Sequence, residues 1–249
     1  MAQADSGTLL PLALRVEAAT VRLEVQGCDL PPQACRVWLL PLVADDKVSD
    51  AVLPLLADDE RTKANAYRVP FARHRFVQTR GALRLLLGRC LHVPAASLRF
   101  DYGEFGKPVL AQGEAWHFNV AHSGDYALLA IADGREVGVD IERHRSLPDL
   151  AALAGTVFSL DEAAAWHSLP EAERVPGFFA AWSAKEAVAK ATGRGLGLGL
   201  EKLEVGVPAS GESFAPRSVR VGASAACRLF TLPAPAGYAA ALALRVAPG

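Results

Sequence analysis

A short pattern that occurs twice constrains this chain most. Leu56-Ala57-Asp58-Asp59-Glu60 resembles Phe158-Ser159-Leu160-Asp161-Glu162, about a hundred residues further on. Each copy opens a helical region. Each is followed by a second helix ending near a glycine, Gly88 or Gly193, and then by a strand. Two copies at so long an offset are too few for a solenoid. They predict an α+β fold of two similar halves packed against each other, with a ligand cleft between them, where sites tend to form. The halves are expected at 1–134, with an extra N-terminal segment, and at 135–249. At 249 residues and 51% apolar content the chain can bury a real core.

Around the repeat, residues 19–25 and 36–40 read as strands, the second closed by Pro41. Residues 49–68 read as helical, opened by a cap-like Ser49-Asp50 and interrupted at Pro54. Residues 71–89 form a stronger helix, with Phe76, Leu83 and Leu87 on an apolar stripe and Gly88 near its end. A strand at 98–102 and a turn at Gly106-Lys107-Pro108 follow. Two strands, 115–121 and 125–132, are split by His122-Ser123-Gly124. Asp133-Gly134 then signals a hairpin, with 137–142 as the return strand. Helices are expected at 161–169 and 177–192, and strands at 203–207, 218–221, 227–232 and 239–246.

Two stretches carry the chemistry. Gly138-Val139-Asp140-Ile141-Glu142 alternates, so a strand there points Asp140 and Glu142 to one face. Trp182-Ser183-Ala184-Lys185-Glu186-Ala187-Val188-Ala189-Lys190 is helical in character and sets Glu186 and Lys190 one turn apart. Each has a bland reading, as the polar face of a strand and as an ordinary helix ion pair. Together they offer three carboxylates and a lysine, a set suited to Mg²⁺ beside a phosphate. Eight basic residues and no acidic one lie between Arg61 and Arg89. Arg73, Arg80 and Arg84 share one helical stripe, which is either a solvated face or an anion site. Gly193-Arg194-Gly195-Leu196-Gly197 follows a helix instead of opening one, so it fits a dinucleotide loop poorly, and Gly193 reads as a C-cap. Ser123 lacks a nucleophile elbow or a partnered His and Asp, so it is a weak nucleophile candidate.

Taken in order, the Arg-rich helix, Gly106-Lys107-Pro108, Phe118-Asn119-Val120-Ala121-His122-Ser123, Gly138 to Glu142, Phe158-Ser159 and Trp182 to Lys190 resemble the 4′-phosphopantetheinyl transferases. The similarity is to the surfactin-type single-chain group and its Trp/Lys-Glu-Ala branch, over residues 56–200. The resemblance implies two α+β halves related by a pseudo-twofold axis, with coenzyme A in the cleft between them. It implies an enzyme that moves phosphopantetheine from coenzyme A to a serine of an apo acyl or peptidyl carrier protein and releases adenosine 3′,5′-bisphosphate. Asp140, Glu142 and Glu186 would hold Mg²⁺. Glu186, or a metal-bound water, would be the base, and Lys190 would stabilise the leaving bisphosphate. Arg75, Gly106, Lys107, Pro108, Asn119, His122 and Lys190 would contact coenzyme A. The family usually has Ser where this chain has Ala121. Competing readings are a non-catalytic coenzyme A or carrier-binding module and another Mg²⁺-dependent phosphotransferase.

Net charge is −1, and the basic stretch lacks aromatics interleaved for base stacking apart from Tyr67, Phe71 and Phe76, which argues against a nucleic-acid partner. No apolar run reaches membrane-spanning length and the start does not read as a signal peptide, so no membrane partner is expected. Cys28, Cys35, Cys90 and Cys227 show no paired spacing and read as reduced structural thiols of a cytoplasmic protein. A monomer is expected.

Overall fold

A computed structural model describes residues 9–11, 13–17, 20–24, 35–103, 107–111, 115–193, 199–208, 216–222 and 225–246. The chain opens with β1 (Leu9–Pro11), β2 (Ala13–Glu17), β3 (Thr20–Glu24) and β4 (Cys35–Pro41). Then come α1 (Asp46–Val52), α2 (Asp58–Ala66) and the long α3 (Pro70–Leu91). A short β-ladder joins β5 (Phe100–Tyr102) to β6 (Pro108–Leu110), and β7 (Trp116–Ser123) pairs with β8 (Tyr126–Asp133). The second half has β9 (Val137–Arg143), α4 (Leu150–Val157), α5 (Leu160–His167) and α6 (Glu171–Ala191). It ends with β10 (Arg217–Val221), β11 (Ala225–Thr231) and β12 (Tyr238–Arg245).

The two halves are alike. One sheet has the order β1-β4-β8-β7 and the other β10-β11-β12-β9. One face of the first sheet, with Trp38, Phe118, Leu129 and Ile131, packs on Leu83 and Leu87 of α3. One face of the second, with Leu229, Ala241 and Ala243, packs on Ala184 and Val188 of α6. The opposite faces meet each other through Leu128, Ala130, Val139, Ile141 and Leu242. Alternation along β8 and β12 thus supplies two cores at once. Where the sheet edges β7 and β9 adjoin, the Asn119 Oδ1 accepts the Val139 N–H at 2.8 Å, a side chain standing in for a ladder bond.

The repeated pattern marks equivalent devices. The Glu60 carboxylate accepts the Ala57 N–H at 2.9 Å and the Arg84 Nε–H at 2.7 Å. Arg84, fully buried on α3, also donates to the carbonyls of Ala95 and Leu98. In the second half the Glu162 carboxylate accepts the Ser159 N–H at 3.0 Å and pairs with Lys185 of α6 at 2.5 Å. Lys185 is also fully buried, and donates to the carbonyls of Leu200 and Leu203. Each carboxylate therefore closes its own helix start and holds a cation of the long helix.

Several local expectations are corrected. Ser49 is not a cap: Asp45 caps α1 by accepting the Lys47 N–H, and Ser49 is buried against His74 and Gln78. The helical region does break at Pro54, in a 3-10 turn over Leu53–Leu55. The Asp133-Gly134 turn does not make a hairpin, because β9 leaves the first sheet and pairs with β12. His122 and Ser123 end β7, and the turn falls at Gly124, φ +53°. Gly88 lies inside α3, where a Cβ would meet the Val93 carbonyl oxygen at 2.8 Å, and His92 takes the cap position at φ +53°. Gly193 does follow the α6 cap with φ +70°. Residues 203–207 form no strand, since the Val205 and Gly206 N–H groups are taken by the Glu162 Oε1. Helix α4 was not foreseen: its eight residues are almost wholly apolar and carry little period to read.

Candidate active site

The site forms where β9 lies against α6. Gly138 permits that approach. A Cβ there would stand 2.1 Å from the Ala187 carbonyl oxygen and 2.4 Å from the Ala191 nitrogen, so any other residue would drive the helix off the strand. With the strand seated, Asp140 and Glu142, two positions apart, turn to the same side as Trp182, Glu186 and Lys190, four apart on α6. These five residues, with Val120, Ala121 and His122 of β7, line one cleft of about 310 Å³. Both halves contribute to it.

The Lys190 ammonium donates to the Asp140 Oδ1 at 2.6 Å. The other oxygen, Oδ2, is buried without a hydrogen-bond partner, and so is the Glu186 Oε1. Glu142 is held on its Oε2 by the Ser123 hydroxyl at 2.7 Å and by Arg145 at 3.4 Å. Burial raises the Glu186 pKa above the usual carboxylate range; Lys190 opposes that, while Asp140 and Glu142 add to it. Three acids facing one space with two unsatisfied oxygens suit a hard cation. The described residues contain no ready-converged group of three metal-ligating side chains.

A second pocket of about 240 Å³ shares Val120 and His122 with the first, so the two are adjacent. It is lined by Arg75, Phe76, Thr79 and Arg80 of α3, with Lys63, Tyr67, Tyr102 and Pro108. The basic residues of α3 therefore divide by their partners. Arg84 is spent on Glu60, Arg80 adds a 3.3 Å contact to Glu60 from the pocket wall, and Arg75 faces the pocket. His122 stands at the junction. Burial, then Arg75 and Lys190, lower its pKa, so the ring is neutral near pH 7 and can donate a hydrogen bond.

Two expected coenzyme contacts sit elsewhere. The Lys107 ammonium donates to the main-chain carbonyls of Lys190, at 3.0 Å, and Val137, at 3.4 Å, so it ties the halves together. Burial lowers its pKa. Asn119 is spent on Val139. Neither lines the cleft. Gly106 lies outside the described residues, as do Arg194, Gly195, Leu196, Gly197 and Cys28. Lys63 lines the second pocket, its ammonium 5.3 Å from the Phe76 ring centre, whereas Arg61 turns back to Asp58 and the Leu56 carbonyl. From sequence Ser123 is only a weak nucleophile candidate and Trp182 only part of the helical motif. The i, i+4 spacing of Trp182, Glu186 and Lys190 was the available signal for the tryptophan.

This combination, a carboxylate and lysine cleft opening onto a cationic, aromatic-lined pocket across two similar halves, is that of an enzyme handling phosphorylated substrates. Comparison with known proteins fixes the class. Residues 136–243 match the 4′-phosphopantetheinyl transferase superfamily, and residues 45–133 match the N-terminal region of 4′-phosphopantetheinyl transferases. The 4′-phosphopantetheinyl transferase HetI of a Nostoc species is 37% identical over 172 residues, covering 68% of this chain and 72% of the relative. The transferase psf-1 of Bacillus pumilus is 32% identical over 181 residues, 71% and 76% of the two chains. Sfp of Bacillus subtilis is 26% identical over 164 residues, 66% and 72%. The chain belongs to the 4′-phosphopantetheinyl transferases.

Proposed function

We propose that this protein transfers 4′-phosphopantetheine from coenzyme A to the serine hydroxyl of an apo acyl or peptidyl carrier protein, with Mg²⁺ as cofactor and adenosine 3′,5′-bisphosphate as the second product. The observation that carries the reading is the convergence of Asp140, Glu142, Glu186 and Lys190 in one cleft, two carboxylate oxygens unsatisfied, beside the pocket that holds Arg75.

Phosphoryl transfer asks mainly for positioning and charge neutralisation. Held by Asp140, Glu142 and Glu186, Mg²⁺ would neutralise charge on the pyrophosphate oxygens. Lys190, fixed by Asp140, supports the departing bisphosphate. Glu186, or a water held by the cation, would take the carrier serine proton. Arg75 supplies a fixed cation and neutral His122 a hydrogen bond on the coenzyme side. Ala121 offers no hydroxyl, and Lys107, with two of its three N–H donors on carbonyls, keeps one for a phosphate.

No helix among the described residues is long and apolar enough to cross a membrane. Cys35, Cys90 and Cys227 form no disulfide among the described residues, in keeping with a cytoplasmic enzyme. Intact-mass spectrometry tests the function. With coenzyme A and Mg²⁺, an apo carrier should gain one phosphopantetheine. No gain across a panel of acyl and peptidyl carriers would overturn the proposal.

A further inference from the structure

We propose that Ser123 is a positioning residue that fixes Glu142 across the two halves and so sets the cation affinity of the cleft. The inference rests on the Mg²⁺ reading of Asp140, Glu142 and Glu186. Ser123 is the last residue of β7, in the first sheet, and Glu142 lies near the end of β9, in the second. The Ser123 hydroxyl donates to the Glu142 Oε2 at 2.7 Å, and the Arg143 N–H donates to the Ser123 Oγ at 3.1 Å. A serine hydroxyl has one proton. With the Arg143 N–H directed onto the oxygen, that proton is committed to the carboxylate.

The hydroxyl is itself fixed. Gly124 makes the turn after it at φ +53°, and a Cβ there would meet the Tyr238 Oη at 2.4 Å. That tyrosine accepts the Asp125 N–H at 3.1 Å, and Tyr238 is paired in register with Arg143. The end of β7 is thus locked onto β9 and β12. Every contact given to Glu142 among the described residues falls on Oε2, so Oε1 is the oxygen left for a cation. Asp140 repeats the arrangement: Lys190 holds Oδ1, and Oδ2 has no partner. Each ligand has one oxygen pinned and one presented. Outer partners of this kind orient a ligand and tune its metal affinity.

The test is Mn²⁺ binding to the full chain in the presence of coenzyme A, followed by the electron paramagnetic resonance of free Mn²⁺, alongside the Mg²⁺ dependence of transfer. Ser123→Ala should weaken Mn²⁺ binding about tenfold and raise the Mg²⁺ needed for half-maximal rate by a similar factor. The change in kcat at saturating Mg²⁺ should be much smaller. Ser123→Thr, which keeps the hydroxyl, should restore most of the affinity. Should Ser123→Ala fail to fold, Ser123→Cys, a weak donor, is expected to show the same loss. Wild-type affinity in the alanine variant, or a fall in kcat with no shift in Mg²⁺ requirement, would overturn the role of Ser123 alone. A wild-type protein that binds no Mn²⁺, or one indifferent to Glu142→Gln, would overturn the metal reading and this inference with it.

Discussion

Glu60 in the first half and Glu162 in the second stand at the third position of a short helix, and each binds the one buried cation that anchors its long helix. Their second oxygens differ. The Glu60 Oε1 faces Arg80, which forms part of the wall of the cationic pocket. The Glu162 Oε1 accepts the Val205 and Gly206 N–H groups instead. The cations differ too. Arg84 serves a helix whose polar contribution to the pockets is Arg75 and Arg80, whereas Lys185 directly precedes Glu186 and so fixes the rotation of the helix that carries both Glu186 and Lys190. One packing device, used twice, thus holds up opposite chemistry: cations and a neutral imidazole from one half, carboxylates with a lysine from the other.

Removing one partner of either buried pair separates these roles. Arg84→Met and Lys185→Met should each lower unfolding free energy by about 3–5 kcal/mol in denaturant titrations, because a buried carboxylate loses its fully buried cation partner. At temperatures where both variants remain folded, Lys185→Met should mainly depress kcat, and Arg84→Met should mainly raise KM for coenzyme A. Equal effects on kcat would break the comparison. Gly138→Ala should cost about 1–3 kcal/mol and most of the transfer activity, since its methyl group meets the backbone of α6. Gly155→Ala is the control: nothing lies within 4 Å of a Cβ there, and the helical site should gain about 0.4–1 kcal/mol.

Asn119→Ala leaves the Val139 N–H unsatisfied where the sheet edges adjoin and should cost about 1–3 kcal/mol by thermal or chemical unfolding. The smallest effect concerns pH. Glu186 has a folded pKa above its ordinary 4.5, so the folded protein retains a proton that the unfolded chain has already released. The metal-free protein therefore loses stability as pH rises from about 4.5 through that raised value. A cation needs the ionised carboxylate, so the Mg²⁺-induced rise in Tm should grow with pH across this window. A rise independent of pH would remove Glu186 from the ligand set.

The sequence made the two halves legible because each repeats a helix-start carboxylate followed by a long helix, and local spacing records both. It likewise showed Asp140 and Glu142 on one face and Glu186 with Lys190 on another. It could not show that the faces meet, since that depends on Gly138 against Ala187 and Ala191, about fifty residues away. Lys107 and Asn119 are expected as ligand contacts only through the family resemblance; the main-chain groups they bind are distant in sequence, and no local motif reveals them. The strand expected at 203–207 fails for the same reason, as a distant carboxylate takes its amides. Ser123 was read for its nucleophilicity, while its geometry makes it a hydrogen-bond donor to Glu142.

The most direct test of the account is carrier modification by the cleft variants Asp140→Ala and Glu186→Gln, measured by intact mass beside the wild type at matched folded fractions. The account predicts a full phosphopantetheine gain with wild-type protein, abolished by EDTA and restored by excess Mg²⁺, and no gain with either variant. Full activity in a folded Asp140→Ala or Glu186→Gln protein would contradict it.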